Sequence, residues 1–257
     1  MNRLLIDIGN SRLKWAYADA QGIGTASALP LDRADWHLHL AKALANAPAP
    51  SQIAIAAVAS DEALAALCEL LARRWPDCPA EIAQSGPRLG RLRSAYAEPK
   101  RLGVDRFLAC AAAAEDQADR LLVAVGTALT IDWVAASGQH RGGLILPAPE
   151  NMRSALLAAT ARIEWRGAGK PVDFADNSED ALVGGTWAAA CGAVERSFDR
   201  ASKASTDLQL IVHGGGGPAL VSLLRLPATA IHERPNLVFE GLLLWLQTAT
   251  RAARTRQ

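Results

Sequence analysis

The sequence lacks a strong charge of either sign. Its 27 basic side chains stand against 26 acidic ones, which leaves a formal net charge of +1 at pH 7. Proteins that bind the phosphate backbone of nucleic acids usually carry a marked basic excess. Nucleic acid is therefore not expected as a partner, and the basic cluster of Arg251, Arg254 and Arg256 is interpreted as a solvated tail.

Cysteine patterns and long apolar runs are also missing. The four cysteines include no Cys-x-x-Cys pair, and none lies at a metal-ligand spacing from a histidine, so neither a zinc site nor a disulfide framework is expected. Asp7 stands where a signal peptide would need its apolar core. The most apolar stretch, 121–136, contains glycine, threonine and aspartate, unlike a bilayer span. The sequence thus predicts a cytoplasmic protein without membrane contact.

The sequence does contain enough apolar residues for well-formed cores, since 50% of its 257 residues are hydrophobic. This length suits two domains of about 100 to 130 residues each. Runs with strand character alternate with helical periodicities, so the predicted fold class is α/β. Strands are predicted at 3–8, 13–18, 53–58, 121–125, 129–134 and 208–212, and helices at 61–75, 106–120, 151–162, 178–201 and 240–251.

Two further features concern the organisation of the chain. A stretch rich in glycine, proline and arginine, 84–100, predicts a long functional loop. Both halves begin with an apolar strand, a glycine turn and a second strand, but the match is too short to identify a repeat.

The first candidate site is Asp7–Lys14, where an acid at a strand end meets a tight turn, a hydroxyl and a lysine. Turn amides at Gly9 and the Ser11 hydroxyl can donate hydrogen bonds to phosphate oxygens, and Lys14 supplies a positive charge. The Asp7 carboxylate can hold hydrated Mg²⁺. The pattern indicates a nucleotide phosphate site, although the spacing of a P-loop is absent. The alternative is an ordinary hairpin turn with solvated charges.

The second candidate site is Gly103–Arg106, at the start of the alanine-rich helix. An aspartate beside an arginine at a helix start can accept a hydroxyl proton during attack on phosphorus, while the arginine holds an anionic substrate group. The alternative is that Asp105 only caps the helix.

Two glycine-containing turns follow in the second half. Val125–Asp132, with Thr127, repeats the strand, glycine and hydroxyl chemistry of the first site, and two such loops could clamp one nucleotide; the alternative is a hairpin whose threonines favour strand structure. The run Gly214–Gly217 could approach an adenosine or form a strand-to-helix turn. With His213 this run is also similar to the oxyanion loop of esterases, but the chain has no Gly-x-Ser-x-Gly nucleophile motif, so a hydrolase is rejected.

Taken together, these motifs resemble those of the type III pantothenate kinases, in order and along nearly the whole chain. The matching elements are Asp7–Lys14, Tyr96 with Pro99 and Leu102–Arg106, Gly126–Ala128, Gly142–Gly143 with Pro147, Asn177–Ser178 and Pro235–Leu242. The resemblance implies the actin-like acetate and sugar kinase fold, an α/β fold with ribonuclease-H-like lobes at 1–117 and 118–257 and a nucleotide cleft between them. It further implies a homodimer that uses ATP and Mg²⁺ to phosphorylate pantothenate, the first step of coenzyme A biosynthesis.

The resemblance also implies roles for single residues. ATP and its Mg²⁺ would be contacted by Asp7, Gly9, Asn10, Ser11, Lys14 and Thr127, with Asp7 on the metal. The pantothenate site would be lined by Tyr96, Gly103, Val104, Asp105, Arg106 and Ser178, with Asp105 as the general base. Ser178 stands where the family usually has a threonine, which acts in the same chain or across the dimer.

One departure from the family affects the expected cofactors. The family has an aspartate that binds a monovalent cation three residues before the threonine of the Gly-Thr-Ala turn, and this chain has Ala124 there. Potassium dependence is therefore not expected, unless backbone carbonyls or Asp132 rebuild the site. Two other functions are compatible with the resemblance: another actin-like small-molecule kinase, or a catalytically silent regulatory accessory protein. The presence of Asp105 and Lys14 favours catalysis.

Overall fold

The computed structural model describes residues 2–160, 165–205 and 207–254, with side chains described up to residue 249. The strands are β1 (Arg3–Ile8), β2 (Arg12–Asp19), β3 (Gly22–Ile23), β4 (Ser27–Pro30), β5 (Gln52–Ala57), β6 (Ala80–Ile82), β7 (Arg88–Leu89), β8 (Leu92–Arg93), β9 (Arg120–Val125), β10 (Ala128–Val134), β11 (His140–Pro147), β12 (Gln209–His213) and β13 (Ile231–Glu233). The helices are α1 (Trp36–Leu44), α2 (Asp61–Arg74), α3 (Val104–Ala114), α4 (Pro149–Ala159), α5 (Ser178–Ser202), α6 (Gly217–Leu223) and α7 (Leu237–Arg254), with 3₁₀ turns at Pro99–Arg101 and Ala228–Ala230.

The alternation of strands and helices confirms the predicted α/β class. The largest difference in a predicted element is at α3, which begins at Val104 and ends at Ala114, earlier than predicted at both ends, because the chain then turns through Gln117 with a φ of +55°. The predicted loop 84–100 contains the β7–β8 hairpin, and the paired glycines Gly142 and Gly143 lie within β11. The predicted end of α4 at Arg162 lies outside the described residues.

The chain forms two compact units, each with its own sheet. The first unit comprises Met1–Gln117, Ser137–His140 and Asn236–Gln257, and the second comprises Ala118–Ala136 and Arg141–Pro235. The lobe boundaries expected from the sequence stay a prediction; among these compact units, α7 belongs with the first.

The sheet of the first unit has the strand order β3-β2-β1-β5-β6, with β4 also paired to β2. The central strand β1 is antiparallel to β2 and parallel to β5. Alternate residues of β1, namely Leu4, Ile6 and Ile8, pack with apolar side chains of α1 and α2. The helix α2 is capped by Ser60, whose hydroxyl accepts a hydrogen bond from the Ala63 amide at 3.3 Å.

The sheet of the second unit repeats this arrangement with the order β11-β10-β9-β12-β13. Its central strand β9 is antiparallel to β10 and parallel to β12, as β1 is to its neighbours. Leu121, Val123 and Val125 of β9 face the core with α5 and α6. The structure therefore shows an internal repeat that the sequence was too divergent to reveal.

Helices α3 and α7 of the first unit pack closely against each other and contact β5. Residues 106–114 of α3 are all buried. A Cβ at Gly241 of α7 would lie 2.0 Å from the carbonyl oxygen of Leu108, so the two backbones approach more closely than any side chain on Gly241 would permit. The alanines of α3 thus serve tight packing as well as helix propensity. Within the described part of the chain, no helix has the length and apolar character of a membrane span.

Candidate active site

Asp7 lies near the carboxyl end of the central strand of the first unit. In the sheet register its neighbours are Lys14 on β2 and Ala56 on β5. The core-facing positions of β1 flank it on both sides, so the pleat directs Asp7 to the opposite face of the sheet. The predicted pairing of an acid at the strand end with a lysine after the turn is therefore present in the structure.

The surroundings of Asp7 disfavour its charge. Burial raises the pKa of the carboxyl from 3.8 to about 6, the positive charge of Lys14 opposes this rise, and the nearby negative charge of Asp105 adds to it. Asp7, Lys14 and Asp105 thus lie close enough to interact electrostatically. A carboxylate held in this way is suited to bind a cation, because the cation would offset the desolvation cost.

The turn between β1 and β2 is held by backbone hydrogen bonds. The Gly9 amide donates to the Arg12 carbonyl at 3.0 Å, and the Leu31 amide donates to the Ser11 carbonyl at 2.9 Å. The residues at the tip, Asn10 and Ser11, are exposed. The backbone of the turn is therefore fixed while its side chains face solvent, as a phosphate-binding turn requires.

Asp105 lies in the first turn of α3, and Gly103 occupies the N-cap position without a side-chain cap. Asp105 is therefore not the N-cap residue of α3, in contrast to the structural alternative considered for it. Its Oδ1 accepts a hydrogen bond from the Arg106 amide at 2.8 Å. A Cβ at Gly103 would lie 2.7 Å from this oxygen, so the glycine leaves room for the carboxylate. Val104 is buried beneath the same turn.

Tyr96 and Arg106 form a hydrogen-bonded pair next to Asp105. The Nη1 atom of Arg106 donates to the Tyr96 hydroxyl at 3.2 Å, and Arg106 is only 6% exposed. The Tyr96 ring stacks on the ring of His140, with centroids 6.1 Å apart and planes at 12°. The family resemblance implied Tyr96 and Arg106 as parts of the pantothenate site but not their hydrogen bond, and His140 was not predicted, because nothing in its local sequence points to Tyr96.

Thr127 belongs to the second unit, in the turn between β9 and β10. The Gly126 amide donates to the Ala128 carbonyl at 2.9 Å, which makes this turn similar to the one after β1. The Thr127 carbonyl accepts a hydrogen bond from Nδ2 of Asn151 at 2.7 Å, and the residue is exposed. Asn151, which the sequence did not single out, therefore holds this turn in place.

Ala124 occupies the position in the second sheet that Asp7 occupies in the first. Each is the penultimate residue of its central strand, and each precedes a glycine turn by two positions. The register places Thr130 and His213 beside Ala124. Asp132 lies two residues beyond Thr130 on β10, where it is opposite Leu122 and not Ala124. Its side chain is buried. The second loop thus lacks the acid of the first.

The glycine run after β12 has a structural reason. Gly214 has a φ of +87°, and a Cβ there would lie 2.5 Å from the Val125 carbonyl oxygen. Gly216 donates its amide to the same oxygen at 3.0 Å. The run therefore packs on the end of β9 and forms the strand-to-helix turn before α6.

Ser178 is the first residue of α5 in the second unit and is exposed. The N-cap is Asn177, whose side-chain oxygen accepts from the Asp180 amide at 2.9 Å. The Ser178 hydroxyl is thus not used as the cap. The structure therefore collects Asp7, Lys14, Tyr96, Asp105 and Arg106 in the first unit, whereas Thr127 and Ser178 belong to the second.

Comparison with known proteins identifies the family to which the chain is similar. A family model described as type III pantothenate kinase matches residues 3–200. A protein from Stenotrophomonas maltophilia named type III pantothenate kinase is 38% identical over 251 residues, which cover 95% of this chain and 97% of that protein.

Solved structures at lower identity show the fold. A protein from Campylobacter jejuni described as a candidate Baf family transcriptional activator has a TM-score of 0.57 at 20% identity, covering 96% of this chain and 99% of its own. MreB 5 of Spiroplasma citri bound to AMPPNP has a TM-score of 0.52 at 10% identity, covering 100% and 99%. The chain thus shares its fold with these two proteins. With its family model and its full-length relative in agreement, the chain belongs to the type III pantothenate kinase family.

Proposed function

We propose that this protein transfers the γ-phosphate of ATP to the primary hydroxyl of pantothenate, the first step of coenzyme A biosynthesis. The observation that carries the proposal is the electrostatic neighbourhood of Asp7, Lys14 and Asp105 in the first unit. It combines a metal-binding carboxylate, a phosphate-binding cation and a proton acceptor. Family membership supports pantothenate as the acceptor.

The β1–β2 turn would hold the nucleotide phosphates. The Gly9 region, Asn10 and Ser11 offer hydrogen-bond donors, and Lys14 offers a positive charge. Asp7 would hold the Mg²⁺, which when bound neutralises negative charge on the phosphates. The residues present fit this ion, since the desolvated Asp7 carboxyl gains a partner for its charge. Thr127 of the second unit would contribute a further contact to ATP.

Asp105 would act as the general base. It accepts the hydroxyl proton of pantothenate as the hydroxyl oxygen bonds to the γ-phosphorus and the bond from that phosphorus to the ADP oxygen breaks. Arg106 would hold the pantothenate carboxylate with help from Tyr96, whose hydroxyl it already contacts. Gly103 and Val104 would line this pocket, and Ser178 would supply a hydroxyl in the same chain or from a second copy.

The structure also bears on the expected cation requirement. Because the side chain of Ala124 offers no ligand oxygen and Asp132 lies opposite Leu122 rather than Ala124, we propose that no potassium site exists beside this turn. The reaction is therefore expected to require ATP and Mg²⁺ but no potassium.

The proposal is tested by measuring ADP release with pantothenate and, separately, with a panel of sugars. Turnover is expected with pantothenate only. Turnover of a sugar without turnover of pantothenate would support another actin-like kinase, and ATP hydrolysis with neither would contradict a kinase function.

A further inference from the structure

The orientation of the Tyr96 ring needs an explanation that its own segment does not supply. Tyr96 lies between β8 and the 3₁₀ turn at Pro99–Arg101, outside any strand or helix. Its amide donates to the Ser94 hydroxyl at 3.2 Å, which fixes the backbone locally, and the hydrogen bond from Arg106 fixes the hydroxyl end of the ring. Neither hydrogen bond sets the plane of the ring, so a further contact with the face of the ring is needed.

His140 supplies that contact. It is only 1% exposed, and its ring lies nearly parallel to that of Tyr96. The same imidazole faces the preceding residue, since the Ala95 amide points to its Nδ1 at 3.5 Å. One buried side chain therefore contacts both the ring of Tyr96 and the backbone that carries it.

The segment Ser137–His140, which contains His140, is hydrogen-bonded to β8, the strand that precedes Tyr96. The Arg93 amide donates to the Gly138 carbonyl at 2.9 Å, and the side chain of Gln139 donates to the Arg93 carbonyl at 3.2 Å. Gly138 has a φ of +84°, and a Cβ there would lie 2.2 Å from the Arg91 carbonyl oxygen. This close fit fixes the segment Ser137–His140 against the β7–β8 hairpin.

We infer that His140 is a positioning residue that holds Tyr96 in the orientation required for the Tyr96–Arg106 pair to bind the pantothenate carboxylate. The inference rests on the proposed function. His140 acts through the ring of Tyr96, and it therefore influences binding of pantothenate and leaves binding of ATP unchanged.

Two variants separate the ring of His140 from the Nδ1 atom that faces the Ala95 amide. His140→Gln keeps an acceptor for the Ala95 amide but has no ring, whereas His140→Phe keeps a ring that can stack. The loss of an aromatic contact of this kind is expected to raise the KM for pantothenate about fivefold to tenfold in His140→Gln. In His140→Phe the rise is expected to stay below about threefold, and the KM for ATP is expected to be unchanged in both. The exposed residue His232 provides the control variant His232→Ala.

A double-mutant cycle with Tyr96→Ala tests the route of the effect. If His140 acts through Tyr96, His140→Gln adds no further rise in pantothenate KM once the Tyr96 ring is removed. KM does not depend on the concentration of active enzyme, so a lower folded fraction leaves the comparison intact. A pantothenate KM that is unchanged in His140→Gln, or raised equally in His140→Phe, would overturn the inference alone. A wild-type protein that does not phosphorylate pantothenate would overturn the proposed function and this inference together.

Discussion

Asp7 keeps a carboxylate in surroundings that disfavour its charge. Its pKa of about 6 in the folded protein lies above the ordinary value of 3.8. As the pH rises from 3.8, the carboxyl of the unfolded chain ionises before that of the folded chain, so stability decreases until the pH exceeds 6. A shift of this size corresponds to roughly 3 kcal/mol at most. The ionised Asp7 thus lowers the free energy of unfolding, but it provides a negative charge that a metal ion can bind.

Asp7→Asn is expected to stabilise the fold and to abolish turnover, because the amide needs no desolvated charge and cannot hold Mg²⁺ in the same way. We predict a gain of roughly 1 to 3 kcal/mol in the free energy of unfolding at pH 8, and a smaller gain at pH 5. Urea unfolding at both pH values measures it, with the exposed Asp77→Asn as control. An equal or larger gain at pH 5 would show that the Asp7 pKa is not raised.

Ala124 predicts the response to monovalent cations. Activity at saturating Mg²⁺ and ATP is expected to change less than about twofold when potassium is replaced by sodium or choline at matched ionic strength, because an alanine side chain offers no oxygen ligand. Ala124→Asp restores the acid of the family and is the comparison variant. Strong, saturable activation of the wild type by potassium would show that other groups rebuild the cation site.

At the scale of the elements, the contact between α3 and α7 holds the helix that presents Asp105. Gly241→Ala would place a Cβ 2.0 Å from the Leu108 carbonyl oxygen, so the helices must separate. We predict a loss of roughly 1 to 3 kcal/mol in the free energy of unfolding, together with reduced turnover.

Gly185 in α5 provides the matched control. It is an exposed helical glycine, and a Cβ there would meet nothing within 4 Å. Gly185→Ala is expected to be neutral or to stabilise by up to about 1 kcal/mol, since alanine is the better helix former. Thermal unfolding measures the stability of Gly241→Ala and Gly185→Ala. An equal change in stability in the two variants would mean that close packing at Gly241 is unimportant.

Some of these elements could be predicted from the sequence and others could not. Asp7, Lys14 and the β1–β2 turn were predictable because strand, turn and strand are contiguous, and their register follows from the short loop. The strands β6 and β13 have three residues each and offer too little periodicity to be recognised. His140 was not predictable from local patterns, because the Ala95 amide that points to it lies 45 positions away along the chain.

At the scale of the whole molecule, the internal repeat of the two sheets was not recognised from the sequence, because local patterns do not relate distant segments of the chain. Both sheets share one strand order, yet Asp7 in one corresponds to Ala124 in the other, so the positions that would reveal the repeat have diverged. The fold class and the kinase family were accessible from ordered motifs spread along the chain. The packing of α7 with the first unit was not, because it depends on contacts between distant segments.

The homodimer implied by the family resemblance needs an apolar contact surface, and the second unit offers candidate side chains for one. Large apolar side chains are exposed there: Ile145 at 66%, Leu144 at 51%, Leu156 at 44% and Phe174 at 99%. Exposed apolar groups of this size often mark protein contacts. We predict that light scattering reports a dimer.

Substitution in the second unit tests where the dimer forms. Ile145→Asp and Phe174→Asp are expected to shift the mass toward that of a monomer, because a buried unpaired charge opposes association. Leu38→Asp in the first unit, at a residue 62% exposed, is expected to leave the mass unchanged. A fully active wild-type monomer would contradict the dimer.

The central claim is that Asp105 removes a proton from pantothenate while ATP supplies the phosphate. Wild-type protein and Asp105→Asn should be incubated with ATP, Mg²⁺ and pantothenate, and the product identified and timed by phosphorus NMR. The account predicts 4'-phosphopantothenate from the wild type, and a rate lower by about 10² to 10⁴ in the variant with substrate binding retained. A loose transition state would place the loss near the lower end. Phosphopantothenate formation at a near-normal rate by Asp105→Asn, or none by the wild type, would contradict it.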